Sequence, residues 1–273
     1  RKAKYDFLEG ERIATIQWQK LGYQPPYFFF VPKTYAGFET YTSGFALNAL
    51  FIDYNSGVKT DRDSLFIDFE RKPLEQRFRY VLAGDLDAHF INAYRIIDSG
   101  SYKITRKIQG KSFDAQYLAK IQYRLFDWRY IYYDVNMISR PAQKAMKHIF
   151  HKNNVGLIFK RQAKEDRGGY TNFFIANTLI IDGLFAIDPL GREVLAPLYL
   201  YPDDSGQQAL GETPTRTPNL SMDIVRRIAD ALGLRFAPES VVVETHGRAS
   251  LHDGGDAVRR ETFAPLDLLD YIY

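Results

Sequence analysis

The sequence contains no cysteine, and this absence excludes disulfide bonds and thiolate-ligated metal sites. No apolar run approaches the ~20 residues that a membrane-spanning helix requires. The opening residues, RKAKYDFLEGERIATIQW, lack the apolar stretch of a secretory signal peptide. Together these absences predict a cytoplasmic protein.

The sequence also lacks the motifs of several large enzyme classes. It contains no Gly-x-Ser-x-Gly motif, no phosphate-binding loop that ends in Gly-Lys-Ser/Thr and no compelling catalytic triad. His148 and His151 are spaced to share one helix face, but a zinc site needs three or four protein ligands. We therefore expect both to be helix-surface histidines, and we assign no catalytic residue, metal ligand or cofactor site to this chain.

One segment resembles a catalytic loop of DNA methyltransferases. Residues 24–28, QPPYF, differ by one residue from the Asn/Asp/Ser-Pro-Pro-Tyr/Phe loop that holds a flipped target base in amino-methylating enzymes. That fold also needs a glycine-rich cofactor turn, and the residues before Gln24 contain no Gly-x-Gly. The run PYFFFVP, residues 26–32, is instead an apolar aromatic segment between prolines, which predicts a buried strand.

A second segment resembles a nuclease motif. IDFERK, residues 67–72, places Glu70 and Lys72 after an apolar stretch, as in PD-(D/E)xK nucleases that hold Mg²⁺ with an Asp and a Glu. The upstream carboxylate could be Asp53, Asp61 or Asp63. Because this short pattern is common by chance, a metal-dependent nuclease stays an alternative only.

What the sequence has in abundance is aromatic residues and, in its centre, positive charge. There are 19 Tyr and 20 Phe, many of them in strand-like runs. Residues 77–167 hold 18 Lys/Arg and 8 Asp/Glu, a balance of +10, whereas residues 168–273 hold 8 and 15, a balance of −7. A basic block of this kind indicates a surface for a polyanion. The alternative is a solvated surface that happens to be basic.

The pattern of apolar residues mixes helices and strands without a regular βαβ alternation, which predicts an α+β fold with a mixed twisted sheet and flanking helices. We expect a domain over residues 1–202, followed by a linker and a small helical C-terminal portion over 203–273. The predicted helices are 71–100, with Leu74, Phe78, Val81 and Leu82 on one face, 139–151 and 221–234, and the predicted strands include 64–69, 117–134 and 154–162.

Several Arg, Lys and Gln side chains of the basic block and its borders lie beside aromatics and at strand ends. Arg and Lys can contact guanine edges and Gln can contact adenine edges, while other cations hold phosphates. Each residue taken alone has a structural alternative, such as pairing of Arg129 with Asp127 or Asp134, or of Arg62 with its flanking aspartates. We predict base contacts for Lys59, Arg62, Arg129, Arg161 and Gln162, and phosphate contacts for Arg106, Lys107, Lys111 and Lys144.

An ordered set of motifs carries a family resemblance over roughly residues 5–273. The set is PYFFFVP (26–32), GVKTDRDSLFIDF (57–69), FDWRYIYYD (126–134), NVGLIFKRQ (154–162), PLYLYPD (197–203) and ETFAPLDLLDYIY (261–273). It resembles the C-terminal specificity region of type ISP and type IIG-like single-chain restriction–modification enzymes. The loop 245–260 departs from that pattern, and no base contact is carried over by motif.

The resemblance implies a target recognition domain that contacts a double-stranded DNA site. In this family a nuclease and an N6-adenine methyltransferase lie upstream in the same polypeptide, so the parent would be a site-specific adenine DNA methyltransferase and endonuclease. S-adenosylmethionine and Mg²⁺ are implied for the parent and not for this segment. The chain begins with Arg1 and stops within an amphipathic segment, which likewise predicts a piece of a larger protein.

Two alternatives from other classes stay open at this point. A catalytic module, either nuclease or methyltransferase, would bind Mg²⁺ near Asp63 and Glu70 or bind S-adenosylmethionine by itself. A protein-interaction domain would use its exposed aromatics to bind a partner, without DNA affinity and with little dependence on salt.

Overall fold

The computed structural model describes residues 2–22, 25, 28–160, 173–185, 193–203, 216–239 and 261–273. Contacts divide the chain into two compact units, Arg1–Phe45 and Ala46–Tyr273. The predicted boundary at residues 202/203 falls inside the second unit, next to a stretch outside the described residues. No helix among the described residues is long and apolar enough to cross a membrane.

The first unit contains two helices, α1 (Lys2–Gly10) and α2 (Phe38–Ser43), and none of its described residues is buried. The prediction of a buried strand at 26–32 is wrong for residues 28–32, which form no strand, and Phe30 is 94% exposed. Proline lacks the N–H that a strand ladder needs, and residues 28–32 form no strand pairing with another described segment. The aromatic run fits a strand by composition alone.

The second unit contains eight helices and eleven strands within its described residues. Its first half comprises α3 (Leu47–Leu50), α4 (Asp63–Phe66), β1 (Ile67–Asp68), α5 (Arg71–Ala83), α6 (Ala88–Ala93), α7 (Ile104–Ile108), β2 (Leu118–Arg124), β3 (Asp127–Tyr132) and α8 (Gln143–Met146). Its second half comprises β4 (Gly156–Lys160), β5 (Phe173–Ala176), β6 (Leu179–Ile180), β7 (Glu193–Pro197), β8 (Tyr199–Leu200), β9 (Thr217–Pro218), α9 (Met222–Leu232), β10 (Arg235–Phe236), β11 (Thr262–Phe263) and α10 (Pro265–Ile272).

The larger sheet has the strand order β1-β3-β2-β6, with antiparallel pairs except for the parallel pair β2–β6. The predicted mixed sheet and the α+β class are therefore confirmed. Helix α5 packs on this sheet through Leu74, Phe78 and Val81, the predicted apolar face, and the Phe78 ring stacks on Tyr132 at 4.0 Å between centroids. The predicted helix over 71–100 ends early, because Gly84 adopts the left-handed conformation that terminates α5.

A second core lies between the sheet β5-β4-β7 and the C-terminal helices. Strands β4 and β7 contribute Leu157, Phe159 and Val194, which cluster with Val225 of α9 and Leu269 of α10. Helix α9 confirms the prediction at 221–234, since it begins after Ser221 and ends at Gly233 in the left-handed conformation. The C-terminal helices therefore complete a core that starts at residue 50.

Two predicted elements are shorter than expected. The strand predicted at 64–69 is limited to β1, because the Arg62 carbonyl accepts hydrogen bonds from the N–H groups of Leu65 and Phe66 and starts the helical turn α4. The helix predicted at 139–151 is limited to α8, which follows Ala142 in a left-handed conformation. Local hydrogen bonds outweigh the apolar pattern in both places.

The buried imidazole of His148 makes the stability of this unit sensitive to acid. Its Nδ1 accepts a hydrogen bond from the Tyr201 N–H at 2.9 Å, and burial lowers the pKa of His148 below its usual value. The unfolded chain binds a proton below about pH 6.5 that the folded chain excludes. We expect the free energy of unfolding to fall as the pH drops below that value, by up to about 1.4 kcal/mol per pH unit.

Urea unfolding measured between pH 7.5 and 5 tests this expectation. The variant His148→Gln cannot take up the proton, so its stability should change less over the same range. An equal pH dependence in both proteins would show that another group is responsible.

Candidate nucleic-acid interface

Residues 55–64, which we call the pinned loop, are fixed to three separate segments of the second unit. Asn55 exchanges backbone hydrogen bonds with Leu195 at 2.8 and 3.1 Å. Lys59 exchanges two backbone hydrogen bonds with Arg140, both at 2.9 Å, so these two residues lie side by side. Val58 forms backbone hydrogen bonds with the third segment, residues 180–182. Because backbone pairs hold the loop along its length, the side chains that leave it are presented from a rigid base.

The pinned loop forms one wall of a cleft of about 410 Å³. Three cations and three carboxylates line the cleft. The carboxylates make it a poor phosphate site, whereas the mixture suits the donors and acceptors of base edges. The lining residues are Val58, Lys59, Asp61, Arg62, Asp63, Ser64, Arg95, Ile181 and Asp182.

Asp61 is held in its ionised form at this cleft. Burial by itself raises the pKa of a carboxyl group, but the hydrogen bond from Ser139 Oγ, at 2.5 Å, and the charges of Lys59 and Arg140 outweigh it. The pKa of Asp61 therefore lies below its usual range. Lys59 Nζ is 3.5 Å from Asp61 Oδ1, which places a donor and an acceptor next to each other.

The hairpin of β2 and β3 meets the pinned loop through Tyr123, whose hydroxyl donates to Asp63 Oδ2 at 2.9 Å. Arg129 is fixed on this hairpin, because it donates to both carboxylate oxygens of Asp127 and its guanidinium lies between two rings. The guanidinium carbon is 4.0 Å from the ring centroid of Phe69 and 3.9 Å from that of Tyr123. The pinned loop and the hairpin thus form one continuous surface, which we call the loop–hairpin surface (residues 55–64 and 123–129, with Phe69).

Aromatic side chains stand exposed on the loop–hairpin surface. Phe126 in the hairpin turn is 80% exposed, Phe69 is 66% exposed and Trp128 is 52% exposed. The FDWRYIYYD run predicted a strand with basic residues, and these rings were not among the predicted site residues. The signal was present, since Leu125 and Phe126 interrupt the strand alternation and side chains in a hairpin turn are commonly exposed.

Of the five predicted base contacts, the structure places Lys59 and Arg129 on the loop–hairpin surface. Arg62 is 9% exposed and is used within the fold: its guanidinium donates to the backbone carbonyls of Asp61, Arg95 and Ile97, each at 2.6 Å. These hydrogen bonds give Arg62 a structural role, and its base contact stays a prediction. Arg161 and Gln162 lie outside the described residues, and their base contacts stay predictions.

The four predicted phosphate contacts differ in how far they are engaged within the protein. Lys107 Nζ donates to the carbonyls of Asn136 and Ile138, and Lys111 Nζ is 2.6 Å from the buried carboxylate of Asp134. Lys144 Nζ is 2.7 Å from Asp53 Oδ1 but stays largely exposed. Arg106 is exposed, and no hydrogen bond or ion pair joins it to another described residue. Arg106 and Lys144 are the better placed of the four for a phosphate.

The residues behind the catalytic alternatives are not assembled into a site within the described part of the chain. No group of three or more His, Asp or Glu side chains is placed there to hold a metal ion. Asp63 accepts from Thr60 Oγ1 and the Tyr123 hydroxyl, whereas Glu70 and Lys72 are exposed at the start of α5. Gln24, Pro26 and Tyr27 of the methyltransferase-like segment lie outside the described residues.

The two histidines do not share a helix face, because α8 ends before them. His148 is buried, and the ring of His151 contacts the Gln116 carbonyl at 2.8 Å. The expectation of two helix-surface histidines is wrong for this reason.

Comparison with known proteins gives a family match over most of the chain. Residues 49–273 match the family described as the Type ISP C-terminal specificity domain. A search of curated proteins gives no match.

Three solved structures show partial similarity. The ATP-dependent Type ISP restriction-modification enzyme LlaBIII bound to DNA has 19% identity and a TM-score of 0.48, and the similarity covers 67% of this chain and 12% of that one. The DrdV–DNA complex has 19% identity and a TM-score of 0.47, with 70% and 18% covered. A nuclease-deletion mutant of the Type ISP enzyme LlaGI in complex with a DNA substrate mimic has 14% identity and a TM-score of 0.47, with 81% and 18% covered. The chain therefore spans less than a fifth of the length of each of these proteins.

Proposed function

Because this chain belongs to the Type ISP C-terminal specificity domain family, we propose that it binds a specific double-stranded DNA site as the target recognition module of a restriction–modification enzyme. The observation that carries the proposal is the family match over residues 49–273, the part of the chain that holds both cores and the loop–hairpin surface. The resemblance predicted from the ordered motifs is confirmed by the same match.

The loop–hairpin surface has the chemistry that base recognition requires. Lys59 and Arg140 can donate to guanine O6 and N7, and the ionised Asp61 beside them can accept from cytosine N4. Backbone pairing fixes the main chain of Lys59 and Arg140, so little backbone freedom is lost when their side chains contact a base pair. This geometry supports direct contact with a groove of the duplex.

Phosphate contacts would supply most of the affinity. Arg106 and Lys144 are exposed cations of the basic block, and Lys103 and Lys120 are further exposed lysines within it. Each phosphate neutralised releases counterions, so binding should weaken steeply as salt rises.

The further domains of the parent enzyme are part of the proposal. An N6-adenine methyltransferase and a nuclease would lie upstream in the same polypeptide and act on the site that this module holds. S-adenosylmethionine and Mg²⁺ would be cofactors of those domains. The family description, which names a C-terminal specificity domain, supports this arrangement.

Selection from a randomised duplex pool tests the proposal directly. The 273-residue chain is incubated with the pool at two salt concentrations, and the bound duplexes are sequenced. Enrichment of one short sequence at both concentrations is the expected result. Salt-sensitive binding without enrichment would limit the function to general DNA affinity, and no binding at low salt would overturn the proposal.

Lys59 should contribute to discrimination between bases. We expect Lys59→Ala to lose about 1–3 kcal/mol of preference at one position of the selected site, because one major-groove contact is removed. The control is Lys72→Ala, which removes an exposed lysine of α5 outside the loop–hairpin surface. Binding of the selected site and of all its single-base variants is measured by competition. An equal loss on every variant would make Lys59 a phosphate contact, and unchanged binding would exclude it from the interface.

A protein-interaction function is the second candidate, and the first unit favours it. Its described residues bury no side chain, and Ile13, Trp18, Phe30 and Tyr41 are all largely exposed. A partner that binds this unit with little salt dependence, together with no DNA affinity, would place this function ahead of DNA recognition.

A further inference from the structure

The turn of the β2–β3 hairpin holds a phenylalanine in a backbone conformation that phenylalanine rarely adopts. The two strands pair up to Arg124 opposite Asp127, so Leu125 and Phe126 alone form the turn. Phe126 has φ of 64°, in the left-handed region where glycine, asparagine and aspartate are the ordinary residues. A bulky aromatic in this conformation is an outlier that suggests function.

Packing does not explain the phenylalanine either. Phe126 is 80% exposed, so its ring gains little from burial within the described protein. Asparagine or glycine would satisfy the backbone better and expose no apolar surface. Both the backbone and the solvation of this position are therefore unfavourable, and neither is offset by a contact that the structure shows.

The hairpin beneath Phe126 is rigid. The guanidinium carbon of Arg129 lies 3.9 Å from the ring centroid of Tyr123, and Arg129 donates to both carboxylate oxygens of Asp127. The Tyr123 hydroxyl donates to Asp63 of the pinned loop. Between Gln122 and Arg124 the pairing register shifts, an irregularity that bends a strand and redirects its end. The exposed ring is thus carried at a fixed position instead of on a mobile loop.

The charges around the ring favour a nucleic acid as its partner. Lys120, Arg124 and Arg129 lie on the two strands that carry the turn, against a single carboxylate, Asp127. An exposed apolar ring on a hairpin with more cations than carboxylates fits an aromatic base whose neighbours are phosphates, since the ring stacks and the cations neutralise. A purely apolar protein surface would desolvate these cations without offering them a further counter-charge.

We propose that Phe126 is a wedge that stacks against the bases of the bound duplex and unstacks one base step of the target site. This inference rests on the proposed DNA recognition and adds to it a deformation of the DNA. When an apolar side chain is inserted, its stacking on the opened step offsets part of the free-energy cost of unstacking. The preferred site should therefore contain a step that opens easily, such as a pyrimidine–purine step.

The test uses the 273-residue chain and the duplex enriched by selection, with 2-aminopurine placed in turn at each position. This base fluoresces more strongly when it is unstacked. We expect the wild-type chain to raise the fluorescence at one position or at two adjacent positions, and Phe126→Ala to lose that rise and bind about 10- to 100-fold more weakly. Phe126→Trp, which keeps an aromatic ring, should restore both properties.

Two further variants separate the wedge from the fold. Phe126→Asn suits the left-handed backbone, so it should raise the melting temperature by roughly 2–4 °C while it weakens DNA binding as Phe126→Ala does. Tyr271→Ala removes an equally exposed ring on α10 and should leave binding unchanged.

The outcomes distinguish this inference from the function on which it rests. Specific binding that persists in Phe126→Ala, with no local rise in fluorescence in the wild type, would overturn the wedge and leave DNA recognition standing. Absence of any DNA binding by the wild type would overturn both. A loss of partner-protein binding in Phe126→Ala, with DNA binding unchanged, would assign the ring to a protein interface and also overturn the wedge.

Discussion

Gly57→Ala is expected to lower the free energy of unfolding of the second unit by about 3 kcal/mol or more, because the new methyl group would collide with backbone atoms. A Cβ at this position would lie 2.3 Å from the carbonyl carbon and the carbonyl oxygen of Ile181. Backbone atoms cannot rotate away as a side chain does. The segments must separate, and the hydrogen bonds from Val58 N–H to Ile180 and from Asp182 N–H to Val58, at 2.7 and 2.8 Å, would weaken.

The same substitution at Gly100 is the matched control. A Cβ added there meets no atom within 4 Å, and its φ is not in the left-handed region, so Gly100→Ala should change stability by less than about 1 kcal/mol. Urea unfolding followed by circular dichroism measures both variants. If Gly57→Ala were as stable as Gly100→Ala, the close approach of the pinned loop to Ile181 would be wrong.

Arg62→Ala is expected to cost about 3 kcal/mol or more of stability, because a buried guanidinium holds the segment 95–97 against the pinned loop. Its three hydrogen bonds end on the carbonyls of Asp61, Arg95 and Ile97, and its removal would take a donor from each of these acceptors. The guanidinium carbon also lies 5.6 Å from the centroid of the Tyr102 ring, so the substitution would open a cavity beside that ring.

Arg62→Lys should lose most of the same stability, although it keeps the charge. A lysine ammonium cannot spread three donors in the planar fork that reaches three separate carbonyls. Arg71→Ala, at an exposed position at the start of α5, is the control and should be nearly neutral. Unfolding by urea is measured beside competition binding of single-base variants of the selected site. If the Arg62 variants kept full stability and showed a weaker preference at one base, the predicted base contact of Arg62 would be supported and its structural role would be wrong.

Sequence patterns located the candidate site but did not show which of its side chains are buried. The pattern around residues 57–63 predicted base contacts for Lys59 and Arg62, and the structure places both beside one cleft. The sequence did not distinguish the burial of these two residues: Arg62 is 9% exposed, whereas the side chain of Lys59 is 42% exposed. Whether a side chain on a short loop points inward depends on segments that are remote in sequence.

The sequence by itself determined the features that depend on short-range chemistry. The apolar spacing of Leu74, Phe78 and Val81 fixes which face of α5 is buried, since the helical period is a local property. The alternation in 117–134 predicted strand structure, which the fold divides into β2 and β3. Gly84 and Gly233 end helices because they adopt the left-handed conformation. The ordered motifs, read together, determined the family.

Only the tertiary structure decided which polar side chains are available for a ligand. Two carbonyls that engage Arg62 lie 33 and 35 residues further along the chain, and the buried carboxylate that engages Lys111 lies 23 residues away. Burial of His148 and exposure of Phe126 are likewise set by strands and turns that meet only after folding. A hydrogen-bond partner is chosen by distance in space, and the sequence specifies that distance only through the whole fold.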